Sequence, residues 1–552
     1  MKSRIEGLLS EALNRASDAG LLVSREAAAA TLESPKDRDH GDLASNLAMI
    51  LAKPEKKSPR AIAQILVDHI EDPQGWVESI EIAGPGFLNF RLKPELFRSL
   101  MVDLAADPAL GVGKFGNASR VQVEFVSANP TGPLTVGHGR NAVLGDSIAR
   151  VLEATGHDVH REYYFNNAGR QMKVLAASVR GRYLELVGEP ADFPEDGYQG
   201  DYIREIAAAL QTEHGTDLIG HDGTAFRDAA EAAIFKEIRE TQERLGIRFD
   251  EFFNEDTLYT SGSIDRVLAE LESRGLVDRR EGAVWLLGEK VGLPKDRVLV
   301  KSSGEPAYRL PDIAYHENKL GRGFDSIVDV LGADHIAENQ EVKAGLAGLG
   351  LPADRVRAVI YQFVTLTRHG EQVKMSTRRA EYVTLDDLID EVGTDAVRFF
   401  FLSRKSDTHL EFDLELAKKR STDNPVYYVQ YAHARIANLF SQAGEKGVDL
   451  PEGIPTLADL APLVLREEQE LITAAAAYAE TVEIAARELE PHRLVFYLQD
   501  FAALLHRFYN QHRVLGDEDE PRRRARLFLL QLVQRVVADG LAVLGVTAPD
   551  RM

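Results

Sequence analysis

The tightest constraint on how this chain can fold is a strand that runs into a sharp turn and then a helix, between residues 121 and 155. Over residues 121–126, Val121, Val123 and Phe125 share one face while Gln122 and Glu124 take the other, the two-residue period of a strand. Residues 127–138 follow as S-A-N-P-T-G-P-L-T-V-G-H, and the rigid Pro130-Thr131-Gly132-Pro133 turn fixes how the strand enters a helix. Val143, Leu144, Ile148, Val151 and Leu152 then fall on one helical stripe, and Gly156 supplies a stop. A second apolar run over residues 159–165 completes a strand–helix–strand unit, which requires a buried parallel pairing. An α/β Rossmann-type parallel sheet is therefore predicted.

The same stretch carries chemistry. Free backbone N–H groups at a helix N-terminus favour negative charge, so phosphates can sit at Thr135-Val136-Gly137-His138. Gly137 has no Cβ, so a nucleotide can lie close on the backbone, and His138 offers a directional ring N–H to a phosphate oxygen. Alone, such a Gly-His pair is usually a helix start with a capping role. Far downstream, V-K-M-S-T-R (residues 373–378) reads as a basic loop. Lys374, with Met375 and Ser376 beside it, can neutralise charge developing on a leaving pyrophosphate, worth several kcal/mol as an order of magnitude. Alone this would be a solvated loop. In this order the two strings read as halves of an ATP site that activates a carboxylate.

A chain of 552 residues exceeds one core and suggests three or four domains. Residues 1–115 read as a small α+β unit, with a hairpin around Gly84-Pro85-Gly86 and a Gly-rich linker over 107–117. Residues 116–385 hold the parallel-sheet domain, including an insertion at about 180–300 that reads as helical and acidic. Strand character returns at 326–331 and 356–366; residues 386–424 connect, and 425–552 repeat an apolar spacing that predicts an all-α helical bundle. No apolar run approaches the roughly 20 residues that span a bilayer, and the first residues carry Glu6 and Glu11, unlike a secretory leader, so a cytoplasmic protein without membrane contact is expected. Zero cysteines exclude disulfides, thiolate nucleophiles and Cys-ligated zinc, and no metal site is assigned. A net charge of −22 argues against general nucleic-acid binding but leaves room for local basic faces at Lys418-Lys419-Arg420, Arg378-Arg379 and Arg522, Arg523, Arg524 and Arg526.

With these residues in place, the chain resembles the class I aminoacyl-tRNA synthetases, and specifically the arginyl-tRNA synthetases of bacterial type. Residues 135–138 correspond to the H-I-G-H signature and 374–378 to the K-M-S-K-S loop. H-G-D-L-A-S-N-L-A-M (40–49) and G-P-G-F-L-N-F-R-L (84–92) resemble the family's N-terminal tRNA-binding domain, and N-P-V-Y-Y-V-Q-Y-A-H-A-R-I (424–436) with the closing L-G-V-T-A-P-D-R-M its anticodon-binding helices. Two positions depart. Thr135 replaces the first signature histidine, and Thr377 the second signature lysine, leaving Arg378 or Arg379 as a substitute.

The resemblance implies that arginine attacks Mg2+-bound ATP to give arginyl-adenylate. The arginyl group then passes to the 2′-hydroxyl of the 3′-terminal adenosine of tRNA(Arg), and tRNA is needed for the first step. It implies Thr135, His138, Lys374, Ser376 and Arg378 in catalysis, and Thr135, Gly137, His138, Lys374, Met375 and Ser376 at ATP. For L-arginine it implies Glu124, Tyr308 and Asp312 at the guanidinium, Asn129 at the α-amino or carboxylate end, and His335 beside the amino acid. A guanidinium stays charged, so carboxylates such as Glu124 and Asp312 suit it; two that face each other make sense with a cation between them. A monomer is expected. The rivals are a small-molecule nucleotidylyltransferase, which needs no helical C-terminal domain, a non-catalytic tRNA-binding paralogue, and a synthetase for another amino acid.

Overall fold

The computed structural model describes residues 1–26, 32–33, 35, 40–167, 169–373 and 383–552. The N-terminal unit lays helices Leu47–Glu55 and Pro59–His69 on an antiparallel sheet that includes the hairpin Val77–Ala83 with Phe87–Leu92; Lys2–Asp18 packs on Pro59–His69, and Pro94–Ala106 packs on the C-terminal helices Arg466–Ala476 and Glu520–Val543. The apolar stripe Ile5, Leu8, Leu9, Ala12 and Leu13 of its first helix is buried against that sheet's helices, as its spacing demands.

The central domain is built on five parallel strands. They are β1 (Arg120–Glu124), β2 (Asp158–Phe165), β3 (Glu251–Asn254), β4 (Ser326–Gly332) and β5 (Val356–Tyr361), in the spatial order β5-β4-β1-β2-β3. The chain moves outward from β1 to β3 and then crosses to β4, so the switch in strand order lies between β1 and β4. Open α/β sheets bind ligands at the carboxyl ends of the strands that flank such a switch. Helix α1 (Val136–Ala154) runs between β1 and β2 and is buried along nearly all its length, because the sheet lies on one side and the C-terminal helices on the other.

The stretch expected as one helical insertion over 180–300 is divided. Helices Gly169–Val187, Asp201–His214 and Thr224–Arg244 come first, then β3 returns to the parallel sheet, and a second unit carries the antiparallel strands Val277–Arg280, Ala283–Leu286 and Arg297–Val300. That unit has its own core, around Val267, Leu271, Leu286, Leu299 and Leu346. From it helix α2 (Arg309–Gly321) leads back to β4. The run read as one strand at 356–366 is two elements as well. It splits into β5 and Val364–Arg368, the latter pairing in parallel with Leu410–Asp413 in a separate small sheet.

Helices Pro425–Glu445, Arg466–Ala476, Tyr478–Glu488, His492–Gln511 and Glu520–Val543 form the C-terminal bundle. Fully buried Arg398 joins it to the rest. Its Nε donates to Leu544 O at 2.9 Å, Nη1 to Leu245 O at 2.8 Å and Nη2 to Asp146 Oδ2 at 2.6 Å. Beside it the Thr547 N–H donates to Asp395 Oδ1 at 3.0 Å. Among the described residues no helix is long and apolar enough to cross a membrane.

Candidate active site

Immediately after β1 the backbone turns left-handed at Val126 (φ 66°) and Ser127 (φ 41°). A β-branched residue there is strained, so surrounding bonds must hold it. They do so at every step. The Val126 N–H donates to Asn141 Oδ1 at 2.7 Å, and Asn141 Nδ2 donates to Val330 O at 2.9 Å, which ties α1 to both sides of the switch point. Ser127 Oγ donates to Glu124 Oε1 at 2.8 Å and accepts the Tyr164 N–H at 3.1 Å; the Tyr163 hydroxyl donates to Ala128 O at 2.8 Å.

At the start of α1 the Thr135 N–H donates to His138 Nδ1 at 3.1 Å. Burial holds the His138 ring below the ordinary imidazole range, so it is neutral near pH 7. With Nδ1 accepting, the proton sits on Nε2, leaving that nitrogen a hydrogen-bond donor. A Cβ on Gly137 would meet nothing nearer than Thr135 Oγ1 at 3.8 Å, so packing does not demand this glycine and the space over it is open. Two residues on, a Cβ at Gly139 would lie 2.6 Å from Leu385 Cδ1; that glycine serves packing.

Lys374, Met375, Ser376 and Arg378, with Thr377 and Arg379, lie outside the described residues. Their described flanks do not. The Val373 N–H donates to Leu366 O at 2.9 Å, Thr384 bridges Thr135, and the Leu385 N–H donates to Leu134 O at 2.7 Å. The chain that follows the second signature thus lies on the first.

Of the residues assigned to arginine, Glu124 and Asp312 lie close enough to act on one another, and Asn129, Tyr308 and His335 are exposed around them. Burial first, then Glu338, Glu255 and Glu124, push the Asp312 carboxyl up to about 7; Glu255 is raised as well, mainly by burial. Tyr308, 75% exposed, opens α2 with its ring 5.9 Å from Lys301 Nζ. His335 Nδ1 is 3.0 Å from Glu338 Oε2, which raises its pKa.

One expectation needs correcting. Glu124 does not wait for a cation, because buried Lys319 on α2 contacts its Oε2 and also reaches Asp329 Oδ1 at 2.7 Å. Burial alone would lower the Lys319 pKa, but Asp329 and Glu124 more than offset it and raise it. His316 Nε2 completes the cluster, 3.0 Å from Asp329 Oδ2.

Three positioning residues escaped the sequence reading. Lys319 is one and Asn141 another. The third, Arg140, is buried on α1 and donates to Gln362 O at 2.6 Å, Thr408 O at 3.0 Å and Lys405 O at 3.1 Å, which fixes the small sheet to the helix of the first signature. Burial lowers its pKa to about 10. Only Arg140 left a signal, a charge that continues the stripe of Leu144, Ile148 and Leu152.

A second surface lies on the C-terminal bundle. Tyr431 stacks near Tyr427 (centroids 6.3 Å, 18°) and on His506 (5.5 Å, 25°), and the Arg435 guanidinium lies 3.9 Å over Tyr509. The basic runs, by contrast, are largely neutralised. Arg522 pairs with Asp517 at 2.6 Å, Arg526 with Glu468 at 2.8 Å, Lys418 with Glu391 at 3.0 Å and Lys419 with Asp423 at 3.3 Å.

Known proteins share this architecture. Residues 3–92 match the arginyl tRNA synthetase N-terminal domain, 104–438 the catalytic domain of class I (R) tRNA synthetases, and 429–552 the DALR anticodon binding domain. The chain is 48% identical to the arginine–tRNA ligase of Desulfotalea psychrophila, covering 100% of both chains. It is also 48% identical to that of Chlorobaculum tepidum, over 94% of this chain and 96% of the relative. The arginyl-tRNA synthetase structure from Thermus thermophilus superposes with a TM-score of 0.76 at 26% identity, covering 99% of each chain. A methionyl-tRNA synthetase from Mycobacterium tuberculosis, solved with methionyl-adenylate, shares the fold over 77% of this chain and 91% of its own (TM-score 0.55, 14% identity). A parallel sheet with its switch point between β1 and β4, flanked by domains matched from end to end, makes this chain a member of the arginyl-tRNA synthetase family.

Proposed function

We propose that the chain activates L-arginine with ATP and esterifies it to tRNA(Arg), as a cytoplasmic monomer that needs tRNA for the first step. ATP enters with Mg2+ as substrate. Its phosphates lie at the start of α1, where Thr135 and Gly137 leave room and His138 Nε2–H donates to a phosphate oxygen. Lys374, with Met375 and Ser376 around it and Arg378 in the place of a second lysine, stabilises the departing pyrophosphate. The guanidinium of arginine goes to Asp312 with Glu124, whose charge Lys319 already shares, and Tyr308 covers it; Asn129 and His335 orient the α-amino and carboxylate groups. The arginine carboxylate attacks the α-phosphate, pyrophosphate leaves, and the 2′-hydroxyl of the terminal ribose then displaces AMP. No side chain forms a covalent intermediate; the protein positions reactants and meets charge as it develops.

The tyrosine, histidine and arginine surface around Tyr431 suits unstacked bases with a phosphate alongside, and we assign the tRNA anticodon loop to it. The observation that carries the activation half is the bridge of Thr384 to Thr135, which lays the exit of the second signature on the first. ATP–pyrophosphate exchange with each amino acid, with and without tRNA, tests the reading. Exchange is expected with arginine alone among the amino acids, and only when tRNA is present. Exchange driven by another amino acid, or none with any, refutes it.

A further inference from the structure

The helical insertion between β2 and β3 is more than filler on the rim, because it holds the Pro130–Leu134 turn from two directions. From Asp201–His214, the Tyr202 hydroxyl donates to Thr131 O at 2.6 Å, and the hydroxyl of Tyr198, just before that helix, lies beside the Thr131 side chain. The fit is close. A Cβ on Gly132 would lie 3.0 Å from the Tyr202 hydroxyl oxygen, and one on Gly200 would run into the Tyr202 ring, so both glycines are shaped around this tyrosine. From the far end of the insertion, Thr241 and Arg244 bond Asp386, and Arg244 bonds Asp390 as well. Both carboxylates belong to helix Leu385–Val392, whose first residue donates its N–H to Leu134 O at 2.7 Å. The turn between β1 and α1 is thus gripped at Thr131 by one helix and at Leu134 through another. One residue later begins the Thr135–His138 bond that fixes the tautomer and aim of the His138 ring.

We infer that Tyr202 is a positioning residue for the activation step, which acts through the Thr131 carbonyl and the 130–134 turn to aim His138 at the phosphates. This rests on the reading of His138 given above. Loss of the Tyr202 hydroxyl frees one side of a turn that is otherwise rigid between two prolines. The His138 ring at its end then samples directions in which Nε2 misses its acceptor. Small misplacement of a group that touches the reacting phosphate lowers the rate more than it lowers binding.

Tyr202→Phe keeps the ring and removes only the bond. In ATP–pyrophosphate exchange with arginine and tRNA, normalised to folded enzyme, its kcat should fall on the order of tenfold, with the arginine KM within about twofold of the parent. Tyr198→Phe, which loosens only the Thr131 side chain, should move kcat in the same direction by less, and stands in if Tyr202→Phe folds poorly. The decisive readout is a double-mutant cycle with His138→Gln: in that background, Tyr202→Phe should change kcat by less than about twofold, because there is no imidazole left to aim. A loss of equal size in both backgrounds, a change in arginine KM in place of kcat, or a kcat within about twofold of the parent overturns the inference. If His138→Gln is impaired while Tyr202→Phe is silent, only this inference fails. A fully active His138→Gln refutes the phosphate reading and this inference together.

Discussion

If Asp312 meets the guanidinium as proposed, a carboxyl raised to about 7 makes arginine binding a proton-linked event. In the free protein burial first, then Glu338, Glu255 and Glu124, push the Asp312 carboxyl up to about 7, so it is protonated below neutral pH. A guanidinium favours the ionised form, so binding should release a proton wherever Asp312 is still protonated. Arginine affinity should therefore rise as pH increases from about 5.5 to 7 and level off above, and Asp312→Asn should flatten the profile. Calorimetry in buffers of different ionisation enthalpy checks both; uptake of a proton, or none, removes Asp312 from the site. Glu124→Gln should lower kcat/KM for arginine by about 2–5 kcal/mol. It should also lower the thermal midpoint, because Lys319 is then left with Asp329 and one partner fewer in a buried place. Here the sequence ran out. Glu124 and Asp312 could be named from residue chemistry and family likeness, but Lys319 sits on a helix that only the fold brings beneath β1. Charge pairing across such a distance leaves no local pattern to read.

Among elements, α1 separates packing from chemistry by its glycines. Gly145 lies against Phe125, and a Cβ there would fall inside the ring, so Gly145→Ala should destabilise by about 1–3 kcal/mol. Gly137 faces open space, and alanine is the better helix former, so Gly137→Ala should keep or slightly raise the thermal midpoint while it raises the KM for ATP. Chemical denaturation beside steady-state kinetics distinguishes the two, and a destabilised Gly137→Ala would show that the open space is illusory. Long periodic elements such as α1 and the bundle helices were legible because their apolar faces repeat many times. The strand β3 was not: E-F-F-N is four residues long, too short to show alternation, and it stands between helices. For the same reason residues 356–366 looked like one strand. The break at Gln362-Phe363, where the chain leaves the parallel sheet for the smaller one, carries no glycine or proline to mark it.

For the molecule as a whole, the net charge of −22 and the neutralised Arg522, Arg526, Lys418 and Lys419 confine tRNA contact to a few open basic groups. tRNA affinity should still fall with added salt, and Arg435→Ala should weaken binding and make the slope of log K against log salt shallower by about one. Filter binding across a salt series measures both; an unchanged slope would show that Arg435 meets no phosphate. The parallel-sheet domain and the helical bundle were readable because each announces itself by a different periodicity, two in the sheet and 3.6 in the bundle. How they are joined was not, since the joint is built from residues far apart in the sequence, among them the buried guanidinium of Arg398, clasped by Leu245, Asp146 and Leu544. The last of those acceptors, Leu544 O, caps helix Glu520–Val543, so that helix end is structural cement. Exopeptidase digestion that nibbles back through Leu544 would leave the buried Arg398 Nε–H without its acceptor, at about 1–3 kcal/mol, and loosen the seat of the bundle on the catalytic domain. A purification handle is better placed at the opposite terminus.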